Sequence, residues 1–297
     1  MATLRPARWV VSEPLLRVAF IGAGKAGTTL AHGLRRAGYP VVAIASRTEA
    51  SAERLAAIIP GAEAFGAQAA ADAADLVVVT VPDDAIAAVT AGIAWRPAQA
   101  VAHVSGALDL VPLDAARDAG ASVGSLHPVQ TLLGTASDSL EGVTFGIEAE
   151  GWLREQLLAM ADRLGGTGID VPASARALYH AAAVMSCGYV TALLHDAAAL
   201  WVRAGLDADV AVAALGRMAE ATAANVRAVG LYSALTGPIA RGDAATVLAH
   251  LDAIDRAAPD ISESYVANGR RMAVLAGKSD KTDPSTWQAL FARAQEE

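Results

Sequence analysis

Arg17-Val18-Ala19-Phe20-Ile21-Gly22-Ala23-Gly24-Lys25-Ala26-Gly27 decides how the rest of the chain is read. The apolar run Arg17–Gly22 predicts a strand, and the residues that follow predict a helix ending near Gly38. A bare GxGxxG is a weak signal, but between a strand and a helix it becomes a specific one. Gly22 permits the tight turn, Gly24 lets backbone approach a pyrophosphate, and Gly27 allows close helix–strand packing. The helix N-terminus adds unpaired N–H groups and positive dipole. Gly22, Gly24, Lys25, Ala26 and Gly27 are therefore candidates for holding a dinucleotide.

Alternation of the same kind fills the first half. Runs rich in Val, Ile, Leu and Phe at Val41–Ser46, Leu76–Val81, Ala100–Val104, Ser122–Leu126 and Val143–Glu148 are separated by alanine-rich helical stretches. Gly166–Val171 adds an edge strand. Nearly continuous apolar strands are what a parallel sheet covered on both faces requires. After Pro172 the pattern changes to helices, at Ala173–Gly205, Asp207–Gly230, Ala244–Ala257 and Ile261–Gly277. The expected fold class is α/β, a Rossmann-type and mostly parallel sheet followed by an all-helical C-terminal domain. A boundary near residues 165–173 gives domains at 1–168 and 169–297, with Met1–Leu16 and the tail after Lys278 as loose ends.

Composition removes several classes of function. The 297 residues suit about two domains, and a formal charge of −8 without like-charge runs argues against nucleic acid or anionic lipid as partner. One cysteine, Cys187, excludes an internal disulfide and any multi-cysteine metal site, so no metal is expected. Ala177–His195 lacks Asp, Glu, Lys and Arg and approaches the length of a membrane span. His180, Ser186, Gly188, Thr191 and His195 would be costly in lipid, which predicts a helix buried inside a protein. No signal peptide is expected, and the chain is read as cytoplasmic with no membrane partner.

The end of the second strand bears on the cofactor. NAD sites use an acidic residue about 20 residues after the glycines to hold the ribose 2′-hydroxyl. Here the sequence is Ala45-Ser46-Arg47-Thr48. Arg47 can pair with a 2′-phosphate and the hydroxyls of Ser46 and Thr48 can donate to it, which favours NADP(H). The alternative is a solvated loop charge. Val81, Pro82 and Asp83 end the third long strand, where the nicotinamide half would lie, although Asp83 or Asp84 is also expected to cap the next helix.

Lysine occurs only at positions 25, 278 and 281, which leaves His, Tyr, Ser and water as proton handlers. His103 and His127 each end a predicted strand, where active sites of open α/β sheets lie. His103-Val104-Ser105-Gly106 and Ser125-Leu126-His127-Pro128-Val129-Gln130 make His103, Ser105 and His127 the catalytic candidates. The plain reading is that both histidines bond to loop carbonyls. His32 and His250 are read as structural or exposed. His180, Cys187, Thr191 and His195 form a polar stripe on the uncharged helix that needs partners or a wet cleft. In Leu235-Thr236-Gly237-Pro238-Ile239-Ala240-Arg241-Gly242-Asp243, Asp243 reads as an N-cap, and Arg241 with Thr236 could grip a carboxylate or belong to a solvated linker.

These motifs together, with Tyr179-His180-Ala181-Ala182-Ala183-Val184, resemble a bacterial family of Rossmann-like NADP-dependent oxidoreductases with a helical C-terminal domain of unknown function. The resemblance runs from Arg17 to about Gly277 and extends more distantly to pyrroline-5-carboxylate reductase, ketopantoate reductase and prephenate dehydrogenase. It implies a nicotinamide site between the domains and a homodimer through the helical domain. Gly188 departs from the family pattern, which often has Asn nearby, and the scarcity of lysine departs from ketopantoate reductase. The expected function is NADP(H)-dependent hydride transfer to or from a small carboxylate-bearing carbonyl or imine. His103 or His127 with Ser105 would handle the proton, while Gln130, His180, Thr236 and Arg241 would orient the substrate. The rival expectations are an NADP(H)-binding sensor or scaffold without catalysis and a deazaflavin-linked NADP oxidoreductase.

Overall fold

The computed structural model describes residues 15–135 and 138–278, together with Trp287, Leu290 and Phe291. In its first part, strands β1 (Val18–Ile21), β2 (Val41–Ala45), β3 (Glu63–Ala64), β4 (Leu76–Val79), β5 (Ala100–His103), β6 (Ser122–Pro128), β7 (Thr144–Ala149) and β8 (Thr167–Asp170) form one sheet. Between them lie α1 (Lys25–Arg36), α2 (Glu49–Ala56), α3 (Ala67–Asp72), α4 (Ile86–Ala91), α5 (Asp114–Asp118) and α6 (Gly151–Arg163). The long runs read as strands are all strands. The two-residue edge strand β3 carries too little pattern to be read from sequence.

The strand order is β3-β2-β1-β4-β5-β6-β7-β8, with every pair parallel except β6–β7. Order reverses between β1 and β4, which opens a crevice at the carboxyl ends of those strands. Each inner strand is buried on both sides because successive side chains enter different cores. Phe20, Val78, Ala102 and Leu126 pack with Leu30, Leu34 and Leu157. Ile21, Val79 and Val101 pack with Ile86, Trp95 and Leu113. Helix α1 contributes Gly27, Leu30, Ala31 and Leu34, the spacing of a single buried face.

Helices α7 (Arg176–Arg203), α8 (Ala208–Val229), α9 (Leu231–Ala234), α10 (Pro238–Arg241), α11 (Ala244–Ala257) and α12 (Pro259–Lys278) complete the chain. Asp207 and Asp243 cap α8 and α11 by accepting backbone N–H groups, as their positions predict. The chain divides into compact units between Val184 and Met185, inside α7. This is later than the end of the sheet near 168, because Arg176 and Tyr179 bond to residues of β6 and β7.

Two expectations change. Ala177–His195 is helical, yet it is not buried: the only buried residue of α7 is Arg176. Its apolar residues run round the whole helix rather than along one face. It is also the one helix among the described residues that is long and apolar enough to cross a membrane. The expected loose ends lie mostly outside the described residues. Trp287 and Phe291, however, are fully buried in the second unit with Ile239, Val247 and Leu251, because two large rings supply core that short helices lack.

Leu157 on α6 is fully buried beneath the sheet. Leu157→Ala is expected to cost about 3 kcal/mol, read as a lower urea midpoint at unchanged slope. A loss below about 1 kcal/mol would show that α6 is not part of that core.

Candidate functional site

Strand register brings the sequence motifs to one edge. Ala45 pairs with Ile21, Ile21 with Val79, Val79 with His103, and His103 with Ser125. The residues that follow each strand position, Ser46–Thr48, Gly22–Gly27, Thr80–Asp83, Val104–Gly106 and Leu126–His127, therefore emerge on the same side of the first unit. From β2 to β6 this edge spans four strand spacings, about 19 Å.

At its centre, Gly22 has φ +120°, and a Cβ there would lie 2.6 Å from the Thr80 carbonyl carbon. A Cβ on Gly27 would lie 2.2 Å from the Gly22 carbonyl oxygen, so turn and helix approach as closely as the glycines permit. Thr80 Oγ1 donates to that oxygen at 2.7 Å and ties the turn to β4. The first bond of α1 runs from Thr28 N to Gly24 O at 2.9 Å. The N–H groups of Lys25, Ala26 and Gly27 precede it and have no acceptor within the helix. No acidic residue lies in the first turn, no side chain caps it, and the space beside Gly24 is open. An anion such as a diphosphate fits there. At the end of β2, Ser46 is half-buried, while Arg47 and Thr48 are exposed.

The next strand ends are joined by polar contacts. Neither Asp83 nor Asp84 caps the helix that follows, contrary to expectation: the 3-10 turn Asp83–Ala85 and α4 lack side-chain caps. Instead Asp83 Oδ2 accepts the Ser105 hydroxyl at 2.6 Å. Ser105 Oγ in turn accepts the N–H groups of Ala107 and Leu108 at 3.2 and 3.1 Å. His103 is wholly buried, and its Nδ1 accepts from Ser105 N at 3.2 Å. Its Nε2 therefore carries the proton and donates to Asp109 O at 2.9 Å. Burial pushes its pKa down to about 4. Both nitrogens of His103 are committed to backbone, which is the plain reading of this histidine.

His127 stands differently. It is half-buried, with Nδ1 2.6 Å from the Tyr179 hydroxyl, and its Nε2 makes no hydrogen bond among the described residues. The rings of Tyr179 and His180 meet it edge-on at 5.4 and 6.3 Å between centroids. Burial foremost, then the neighbouring His180 and Arg176, push its pKa down to about 4. Sequence reasoning missed Arg176. This guanidinium is 2% exposed and donates to Glu148 Oε2 at 2.7 Å, to Ser105 O at 3.2 Å and to Ser125 Oγ. The available signal was a lone arginine heading an uncharged helix. Gln130 is exposed, and its Oε1 accepts Thr131 N at 2.9 Å.

In the second unit, Thr236 and Arg241 are exposed. A cavity of about 360 Å³ there is lined by residues that include Leu193, Leu200, Ile239, Tyr265 and Met272, but not by Thr236 or Arg241. His250 bonds to Tyr265 OH at its edge, at 2.8 Å. Of the expected polar stripe, Thr191 bonds to Cys187 O within its own helix and His195 is exposed. Among the described residues no group of three His, Cys, Asp or Glu is placed to hold a metal.

Comparison with known proteins agrees with this geometry. Residues 4–128 match the Rossmann-like domain, and residues 143–272 match the domain of unknown function DUF2520. No curated protein matches the sequence. Among solved structures, a Bacteroides fragilis protein provisionally assigned as an NADP oxidoreductase is 27% identical, with a TM-score of 0.70 over 87% of this chain and 98% of its own. The 1-pyrroline-5-carboxylate reductase of Streptococcus pyogenes is 14% identical, with a TM-score of 0.63 over 90% and 99%. A reductive aminase from Aspergillus terreus in complex with NADPH and ethyl levulinate is 18% identical, with a TM-score of 0.63 over 94% and 100%. The last two likenesses concern the fold.

His103 and His127 both have folded pKa values near 4 against about 6.5 unfolded. The unfolded chain therefore binds more protons between those values. Their contribution is complete above about pH 6.5 and is lost as pH falls toward 4, by up to about 3 kcal/mol for each. Urea unfolding from pH 7 to 4.5 is expected to show this fall, and His103→Asn to flatten it. A slope unchanged in that variant would refute the burial of a neutral His103.

Proposed function

The chain joins a Rossmann-like domain to DUF2520, and from that premise we propose that it is an NADP(H)-dependent oxidoreductase acting on a small carboxylate-bearing carbonyl or imine compound. The observation that carries this reading is the shared edge. Anion-binding amides after β1, a basic loop after β2 and a histidine with one unbonded nitrogen on β6 lie along the about 19 Å from β2 to β6, a length suited to an extended dinucleotide. The likeness to NADP oxidoreductases and to a reductive aminase holding NADPH supports it.

When bound, the nicotinamide supplies or accepts the hydride. The chain's own residues bind, orient and handle protons. The amides of Lys25, Ala26 and Gly27 receive the pyrophosphate beside Gly22 and Gly24. Arg47, with Ser46 and Thr48, takes the 2′-phosphate, for which it is free of ion pairs among the described residues. Val81, Pro82 and Asp83 flank the nicotinamide half. His127 serves the oxygen of a carbonyl substrate, whereas His103 and Ser105 hold the loop beside it. Gln130 and His180, in the first unit, orient the substrate. A carbonyl oxygen held by the His127 N–H would take its proton from water as the hydride arrives, whereas an imine that arrives already protonated needs none.

The apolar helices supply the rest of the reading. Leu178, Met185, Val212 and Met218 are 82, 60, 67 and 63% exposed, and Ala211 is the only buried residue of α8. Exposed apolar surface of this extent marks an association face, which supports a homodimer through the helical domain.

NADPH oxidation screened against 2-keto acids, cyclic imines and prephenate-like acids is expected to find a substrate. Arg47→Asp is expected to weaken NADPH binding about 10- to 100-fold, the loss of a charge-assisted bond, with little effect on NADH. Tight NADPH binding with no turnover across the panel would favour a sensor, and equal or tighter NADH binding would overturn the cofactor assignment. Sedimentation at micromolar concentration is expected to give twice the chain mass, and Met185→Glu with Met218→Glu to return it to one. A monomeric wild-type chain would overturn the dimer.

A further inference from the structure

The Tyr179–His127 contact lies inside the first unit and decides which ring nitrogen holds the proton. Tyr179 OH and His127 Nδ1 are 2.6 Å apart, so one donates to the other. A phenol O–H is a stronger acid than a neutral imidazole N–H, and an imidazole nitrogen is a better acceptor than a phenol oxygen, which favours donation from Tyr179. The phenol therefore donates to Nδ1, and a neutral ring then carries its proton on Nε2. Two glycines make room for this arrangement. A Cβ on Gly146 would lie 2.4 Å from the phenol oxygen, and one on Gly106 would lie 2.6 Å from Nε2. Gly106 thus packs directly against the Nε2 edge of the ring, and its lack of a side chain lets His127 sit within hydrogen-bond reach of Tyr179, with Nε2 bonded to no described residue.

We propose that Tyr179 is a positioning residue that fixes His127 as the Nε2-protonated tautomer, making the neutral ring a hydrogen-bond donor to the substrate's carbonyl oxygen. This rests on the hydride-transfer reading above. The groups that act on the ring are Tyr179 and His180 on α7, Arg176 at its head, Asp83 after β4 and His103 on β5. Arg176 and His180 oppose a second proton on the ring, while Asp83 favours one more weakly. A neutral donor of this kind gives polar assistance without becoming an imidazolium first.

The test reads the tautomer directly. Histidine-selective 15N labelling, with the His127 signals assigned by their loss in His127→Asn, is expected to show protonated Nε2 and bare Nδ1 across pH 5.5–8, without substrate or cofactor. In Tyr179→Phe the two tautomers are expected to mix. With a substrate from the panel, kcat is expected to fall about 10-fold while KM stays within about 2-fold, part of the 10²–10³ that loss of a whole fixed donor costs. Gly106→Ala, whose Cβ would lie within 3 Å of the ring, is expected to displace His127 from Tyr179 and to mix the tautomers as Tyr179→Phe does. A wild-type ring protonated on Nδ1, or a tautomer indifferent to Tyr179→Phe, would overturn the proposal. A correct tautomer in a protein that turns over nothing would instead sink the hydride-transfer reading and leave the positioning of His127 intact.

Discussion

The charge of Arg176 constrains everything around it. A guanidinium taken out of water costs several kcal/mol, and it persists only where hydrogen bonds and an opposite charge repay that cost. Glu148 on β7 supplies the charge, while the Ser105 carbonyl and the Ser125 hydroxyl supply acceptors after β5 and on β6. One side chain from the head of α7 thus holds three neighbouring segments in fixed relation. The turn it stabilises carries Ser105, and the next turn of α7 carries Tyr179 and His180. Removing this pair would not simply cost stability. It would release the two elements that aim His127.

Most of the fold was legible because burial on both faces of a parallel sheet leaves a plain record. Val18–Ile21, Leu76–Val79 and Ala100–His103 are fully buried strands and read as unbroken apolar runs. Gly22 and Gly27 were legible for a related reason, since backbone contact below 3 Å admits no other residue. The site was less so. His103 and His127 look alike in sequence, each a histidine at a strand end. What separates them is partners remote in sequence: Asp109 O and the Ser105 amide for one, Tyr179 for the other. Asp83 shows the same limit, because an acidic residue opening a helix is ordinarily a cap, and here Ser105, 22 residues on, claims it.

The uncharged helix misled in an instructive way. Absence of charge over Ala177–His195 records that water is excluded, but it does not say by what. Within one chain the natural inference is burial by its own layers. The exposure of α7 and α8 shows that apolar composition was answering a demand those layers do not meet. A helix apolar on all sides ordinarily lies in a core or a membrane span, and the layers of this chain leave α7 uncovered beyond Arg176. The head of the same helix, by contrast, has its single charge buried and bonded.

These features favour one electrostatic picture of the site. Glu148 balances the buried charge of Arg176, yet at His127 the guanidinium still acts as a positive charge. An imidazolium there would face a desolvated environment, His180 and the guanidinium, and the low pKa of His127 reflects them in that order. A group that stays neutral can donate from Nε2 to a ketone oxygen and still tolerate a cationic iminium, which an imidazolium would repel. The arrangement is therefore compatible with carbonyl and imine substrates for a common reason. Choice between them must come from groups that contact the remainder of the substrate.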